Sequence, residues 1–395
     1  ASRRLVSFGR RSKPRLFLFS ENQMASLLFS PIKLRDIELP NRIIVAPMCQ
    51  YSAFNGTATD WHLMHLGQFS VGGTGLVFVE ATGVEPEGRI TPGCVGLYSD
   101  ENEEALERVI RFFRDYGSAK IGIQLGHAGR KASAKLPWQG GTALSEEEGA
   151  WQTVAPSPIP YAPGWHAPEA LGDNSLARVK QAFVQAAQRA ARLDFDVVEI
   201  HSAHDYLLHQ FLSPVTNERT DQYGGSLENR MRFPLEVFDA VRAVWPESKP
   251  LGARLSAQDW IEGGWDVEQS IAYCEALEAR GCDFFDVSSG GAAPQQKIAA
   301  APGYQTAFAA AIKRATKTPV MAVGRITEAH QAETILQSGQ ADMIALARGM
   351  LYDPRWAWHA AAQLGADAAF PAQYARSHPS MQGEPVPGNP PQPKS

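Results

Sequence analysis

His201, His204 and Tyr206 fall within the six-residue string His-Ser-Ala-His-Asp-Tyr at 201–206. Two imidazoles can bind a developing oxyanion and a phenol can deliver a proton, so the cluster suits chemistry at a polarised oxygen. It follows an apolar run, Asp196–Ile200, that reads as a β-strand, so the three groups emerge where a strand opens into a loop. Plainer readings stand beside this one. A single histidine at a strand end is commonly structural. As metal ligands, His201 and His204 would have only Asp205 or His209 as a third partner, and no metal is expected. Cys49 alone is a small buried hydrophobe, and Arg254 alone is half of a structural ion pair.

The elements that must position these groups repeat along the chain. Eight short, nearly continuous apolar runs read as strands buried on both faces: Arg42–Ala46, Gly75–Glu80, Lys120–Leu125, Asp196–Ile200, Leu251–Leu255, Asp283–Val287, Pro319–Val323 and Ala341–Leu346. Helical patterns lie between them, at Glu101–Tyr116, Ser175–Leu193, Leu227–Val244, Val267–Ala279, Tyr304–Thr316 and Glu328–Ser338, with Asn174 or Ser175 placed to cap the second. Eight strands alternating with helices predict an α/β fold, a (β/α)8 TIM barrel. Ile32–Leu34 and Ile37–Leu39 flank Arg35-Asp36 and predict a hairpin lid on the N-terminal end. A loop of nearly fifty residues, Gly126–Asn174, follows strand 3 and is long enough to cover an active site.

Composition narrows the classes. The 395 residues are 44% apolar and 20% charged, the profile of a globular protein with a real core. Net charge is −5, but residues 1–23 carry six cations against Glu21, a net of +5 that leaves −10 for the rest. That balance argues against nucleic acid, and no apolar run is long enough to span a bilayer. The four cysteines show neither CxxC nor zinc-finger spacing and fit a reducing, cytoplasmic setting. Residues 1–25 read as an extension outside the core. It is either a leader ahead of a start at Met24 or, if genuine, an organellar presequence. Residues 26–378 form the barrel, and 379–395 a proline-rich disordered tail.

Barrel chemistry belongs at the C-terminal ends of the strands. There the chain places Pro47-Met48-Cys49-Gln50-Tyr51, Ala81-Thr82, Gln124 with His127, the 201–206 cluster, Arg254, Ser288–Gly291, Gly324-Arg325 and Arg348-Gly349. Glycines and arginines after strands 6 to 8 suit a phosphate, which Arg348 could grip through two donors. Gln124 and Arg254 suit the polar edge of a flat heterocycle. Together they describe a phosphorylated planar cofactor across the barrel mouth.

Several long strings resemble the Old Yellow Enzyme family: Ser30–Ile43, Ala46–Tyr51, Gly122–Lys131, His201–Pro214 and Arg219–Arg230. Cys49 with Tyr51, and histidines at both 201 and 204, are similar to its thermophilic-like branch. The resemblance spans residues 26–378. It implies an FMN-dependent, NAD(P)H-consuming ene-reductase that works by a ping-pong mechanism on enone-type small molecules. In that family pattern His201 and His204 would bind the substrate carbonyl, Tyr206 would protonate Cα, Cys49 would tune the flavin and Tyr51 would line the substrate pocket. Ala46, Pro47, Met48, Cys49, Ala81, Gln124 and Arg254 would hold the flavin ring. Gly324, Arg325, Ala347 and Arg348 would hold the phosphate. Arg376, in Gln373-Tyr374-Ala375-Arg376, would reach the neighbouring subunit's active site in a homodimer or homotetramer.

One departure stands out. The family usually has glycine where this chain has Asp205, and a carboxylate there either shifts the pKa of His204 or Tyr206 or faces solvent. Alternatives to the ene-reductase are a flavin-binding redox sensor acting through Cys49, a quinone or nitro-compound reductase, and a multi-centre relative, which would need a cysteine cluster for iron and sulfur.

Overall fold

The computed structural model describes residues 25–377; the expected extension, apart from Ala25, and the whole of the proline-rich tail lie outside them. Eight parallel strands close into a barrel: β1 (Ile43–Val45), β2 (Leu76–Gly83), β3 (Lys120–Gly126), β4 (Val197–Ser202), β5 (Leu251–Ser256), β6 (Phe285–Ser288), β7 (Val320–Ala322) and β8 (Met343–Leu346). Each pairs with its neighbour in chain order, and β8 returns to β1. All eight expected strands are present. Several start later than the apolar runs do, because Asp196, Asp283 and Asp342 turn their carboxylates back to cap the strand-entry N–H groups of Ile121, Leu251 and Val320.

The helices are α1 (Asp60–Ser70), α2 (Asp100–Tyr116), α3 (Asp173–Arg192), α4 (Leu207–Leu212), α5 (Leu227–Arg242), α6 (Val267–Glu278), α7 (Thr306–Ala315), α8 (Ala329–Gln337), α9 (Arg348–Tyr352) and α10 (Trp356–Leu364). The cap expected at Asn174 or Ser175 is instead Gly172: α3 starts at Asp173, with its acid at the positive end of the helix dipole. α1, α4, α9 and α10 escaped the sequence reading; α4 and α9 are barely a turn long, and α1 carries only a weak apolar stripe. No helix among the described residues is long and apolar enough to cross a membrane.

The hairpin is present, with Ile32 opposite Leu39 and Leu34 opposite Ile37. Its Leu34 and Leu39 plug the barrel base against Ile44, Leu76, Phe78, Val197, Phe284, Met321 and Met343. Space for Phe78 and Phe284 comes from Gly122 and Gly252, since a Cβ at either position would sit within 2.6 Å of a phenyl ring. The interior is therefore filled from below, and two residues further along β3 to β6 the inward positions turn polar, at Gln124, Glu199, Arg254 and Asp286, while Ala46, Val323 and Ala345 stay apolar.

Candidate active site

That polar layer is a product of strand register. Gln124 lies opposite Glu199, and Arg254 opposite Asp286. Gln124 Nε2 donates to Glu199 Oε1 at 2.7 Å, and Arg254 Nε meets Asp286 Oδ2 at 3.2 Å. Arg254 is thus an ion-pair member, and it also lines the cavity at the mouth. A bulge in β2 skips Glu80 and sets Ala81 beside Gln124. The displaced Glu80 carboxylate meets His62 at 3.2 Å and accepts the Gln50 N–H at 3.1 Å, so it anchors the loop that carries Cys49 and Tyr51.

One layer higher, the chain turns sharply at the end of β4. His204 and Asp205 both adopt left-handed backbone, with φ of 60° and 59°. The turn backs directly onto Gly291, where a Cβ would come within 2.5 Å of the His204 backbone. It brings the three candidate groups together: the His201 ring is 4.8 Å from that of Tyr206 and 5.3 Å from that of His204, both edge to face. His201 Nδ1 accepts the Ala203 N–H at 3.3 Å, which leaves Nε2 as the donor. His204 Nε2 lies 2.7 Å from Ser288 Oγ, which leaves Nδ1 free.

Burial, then the Arg254 charge, holds both imidazoles well below the usual histidine range, so they are neutral donors at physiological pH. Burial, then Cys49 and Tyr51, pushes the Tyr206 phenol up, so it keeps its proton until one is demanded. The Cys49 thiol is pushed up by its hydrogen bond with Cys94 and by burial, and it too stays neutral. Burial, with Asp286 beside it, raises Glu199 to about 8.

Asp205 does not face solvent. It is 0% exposed, and its Oδ2 accepts from Arg130 Nε at 2.9 Å. His209, the other candidate third metal ligand, is turned to Asp259 at 3.2 Å. The long loop does cover the mouth: Trp138 meets Tyr51 edge to face at 5.8 Å, and Tyr161 lies over Lys131.

Beside this cluster opens a cavity of about 360 Å³ lined by Arg254, Ser288, Gly324, Arg325, Ala347 and Arg348 among others. It unites five of the expected cofactor residues. Gly324 has φ of +126° and packs on Gln305, whose amide donates to Val323 O. Ala81, His201 and Tyr206 line a smaller cleft next to Arg89 and Ile90. Ala46 packs into the interior layer, and Met48 against the outer core. Arg376 lies on the final described turn, Ala372–Ser377, which Tyr374 pins to Trp358 and Arg355.

A family model described as the NADH:flavin oxidoreductase / NADH oxidase family matches residues 27–367. The chain belongs to this family. The NADH:flavin oxidoreductase FG08077 of Gibberella zeae is 45% identical over 364 residues, 88% of each chain. The NADPH dehydrogenase of Bacillus subtilis is 42% identical over 89% of this chain and 99% of its own. A solved morphinone reductase is similar with a TM-score of 0.72 at 29% identity, covering 87% of this chain and 92% of that one. These relatives confirm the Old Yellow Enzyme resemblance, and the protein is an NAD(P)H-dependent flavin oxidoreductase with FMN as its cofactor.

The residues fit FMN. Glu199 Oε2 and Asp286 Oδ1 are buried without hydrogen-bond partners among the described residues, and Arg254 lines the cavity beside them, as the bed of a polar-edged ring would leave them. The two guanidinium groups and Gly324 suit a phosphate, although Arg325 already gives one N–H to Ala300 O. Sequence reasoning missed Glu199, Asp286, Glu80 and Cys94, and it placed Ser288 at a strand end without giving it a role. For the first two a signal existed: a carboxylate inside a strand buried on both faces needs a partner. For Cys94 there was none short of the fold.

Proposed function

We propose that the protein is an ene-reductase for α,β-unsaturated carbonyl compounds and related electrophiles. Bound FMN supplies the hydride, taken from NAD(P)H and passed to the alkene Cβ. His201 Nε2 and His204 Nδ1 donate to the substrate carbonyl oxygen and stabilise negative charge as it develops there. Because both imidazoles are neutral, they donate hydrogen bonds without giving up a proton. Tyr206 gives its phenolic proton to Cα as general acid. Gln124 and Arg254 hold the ring edge, with Ala46, Pro47, Met48, Cys49 and Ala81 beside it; Gly324, Arg325, Ala347 and Arg348 hold the phosphate. Tyr51, placed under Trp138, closes the substrate side. Arg376 completes the site of a neighbouring copy in a homodimer or homotetramer.

The observation that carries the reading is the convergence of one phenol and two neutral imidazoles beside the cavity, with ring separations of 4.8 and 5.3 Å. The test is an anaerobic visible-spectrum titration with NADPH followed by 2-cyclohexen-1-one. The flavin band should bleach with NADPH and return with the enone. In Tyr206→Phe the return should slow by about 10²–10⁴-fold, while bleaching is affected far less. A band that returns only with a quinone or oxygen would end the enone reading.

A further inference from the structure

Lys131 plays no part in the chemistry above, yet it reaches Tyr206. Its Nζ lies 5.3 Å from the centre of the Tyr206 ring and 4.7 Å from that of Tyr161. The ammonium is held there by donating to His204 O at 2.8 Å and Gly291 O at 3.1 Å. The first acceptor belongs to the turn that sets the candidate proton donor, and the second to the loop after β6 against which that turn packs. Next to it in the chain, Arg130 pairs with the buried Asp205 and also donates to Ala292 O at 2.7 Å. The second oxygen of Asp205 has no hydrogen-bond partner among the described residues.

We infer that Lys131 is a positioning residue that presents a positive charge to the proton donor Tyr206, and that Asp205 keeps it charged. The inference rests on the proposed role of Tyr206. A phenol that gives up its proton becomes an anion, and a cation over its ring favours the anion more than the neutral form. Sequestered beside Arg130, an ammonium tends to lose its proton; a buried carboxylate opposes that. The charged or titratable groups facing Lys131 are Asp205, Arg130, Tyr161, Tyr206, His201 and His204, and Asp205 additionally meets His209, whose Nδ1 accepts its N–H at 2.8 Å.

Burial lowers Lys131 to about 8, with Asp205 opposing and Arg130 assisting the fall. Burial raises Asp205 to about 6 against the pull of Arg130 and Lys131. Between those values Asp205 is anionic and Lys131 cationic. Above about 8 the ammonium is lost, and below about 6 the carboxylate is.

The experiment uses the holoenzyme with ¹³C-labelled lysine. The Lys131 signal is assigned by its loss in Lys131→Met and titrated in wild type and in Asp205→Asn. Alongside it, enone-driven reoxidation is followed against pH by stopped flow. Asp205→Asn should lower the Lys131 midpoint by about one pH unit, and the alkaline limb of reoxidation should fall with it. Asp205→Gly, which suits the left-handed backbone without the charge, should reproduce both shifts if Asn is not tolerated. An unmoved midpoint overturns the inference, as does a midpoint that moves without the limb. If wild type is not reoxidised by the enone at any pH, the proposed function fails and this inference falls with it. The NMR shift alone would then show a charge coupling with no catalytic use.

Discussion

Ser288 Oγ lies 2.7 Å from His204 Nε2, although the two residues come from the ends of different strands, β6 and β4. A hydroxyl donating to Nε2 leaves the single proton of the neutral imidazole on Nδ1. The same hydroxyl lies 3.5 Å from Gln305 Oε1, so its choice between Gln305 and Nε2 as acceptor sets which edge of His204 carries the ring proton.

Ser288→Ala should release that choice. With FMN still bound, as its visible spectrum would report, reoxidation by an enone should fall about tenfold, the equivalent of one hydrogen bond worth about 1.4 kcal/mol. Ser288→Thr keeps the hydroxyl and should recover most of the rate. An unchanged rate in the alanine variant would mean that His204 holds its tautomer unaided.

Cys49 should act on the flavin as a neutral dipole. Its thiol is held up by Cys94 and by burial, so it does not ionise at working pH. Cys49→Ala should retain FMN and shift its two-electron potential on the order of 30 mV, about 1.4 kcal/mol. The shift should be the same at pH 6 and pH 8. A shift that grows with pH would indicate a thiolate, and no shift would leave Cys49 as packing.

Glu199 should make the fold less stable in alkali. Its folded pKa of about 8 lies above the ordinary carboxylate value, so its contribution is complete below about 4.5 and is lost as pH rises towards 8. Glu199→Gln keeps the oxygen that accepts from Gln124 and removes the ionisation. Its melting temperature should exceed that of wild type at pH 8 and match it at pH 4.5. Each pKa unit is worth about 1.4 kcal/mol, or roughly 2–4 °C. Equal melting temperatures at both pH values would show that Glu199 is ionised without penalty.

Arg376 tests subunit sharing. Arg376→Ala should raise the enone KM about tenfold, roughly 1.4 kcal/mol, in a protein shown to be a dimer by sedimentation. An unchanged KM in a confirmed dimer would confine the site to one chain.

The local sequence was enough to locate the eight barrel strands, the hairpin and the 201–206 cluster. Apolar runs buried on both faces and the positions just beyond them are local properties, and the barrel places all such ends on one rim. What local pattern could not reveal is which side chains meet across strands. Register alone sets Glu199 beside Gln124 and Asp286 beside Arg254, and a bulge at Glu80 sets Ala81 in line with them. Asp205 shows the difference most sharply. In sequence it is an acid in a loop, free to face water. In the fold, Arg130 from the preceding strand's loop and the covering segment at 159–161 enclose it, and a carboxylate with those neighbours is buried, paired and coupled to Lys131. Hydrophobic periodicity is written along the chain, whereas charge pairing depends on distances that exist only once the barrel has closed.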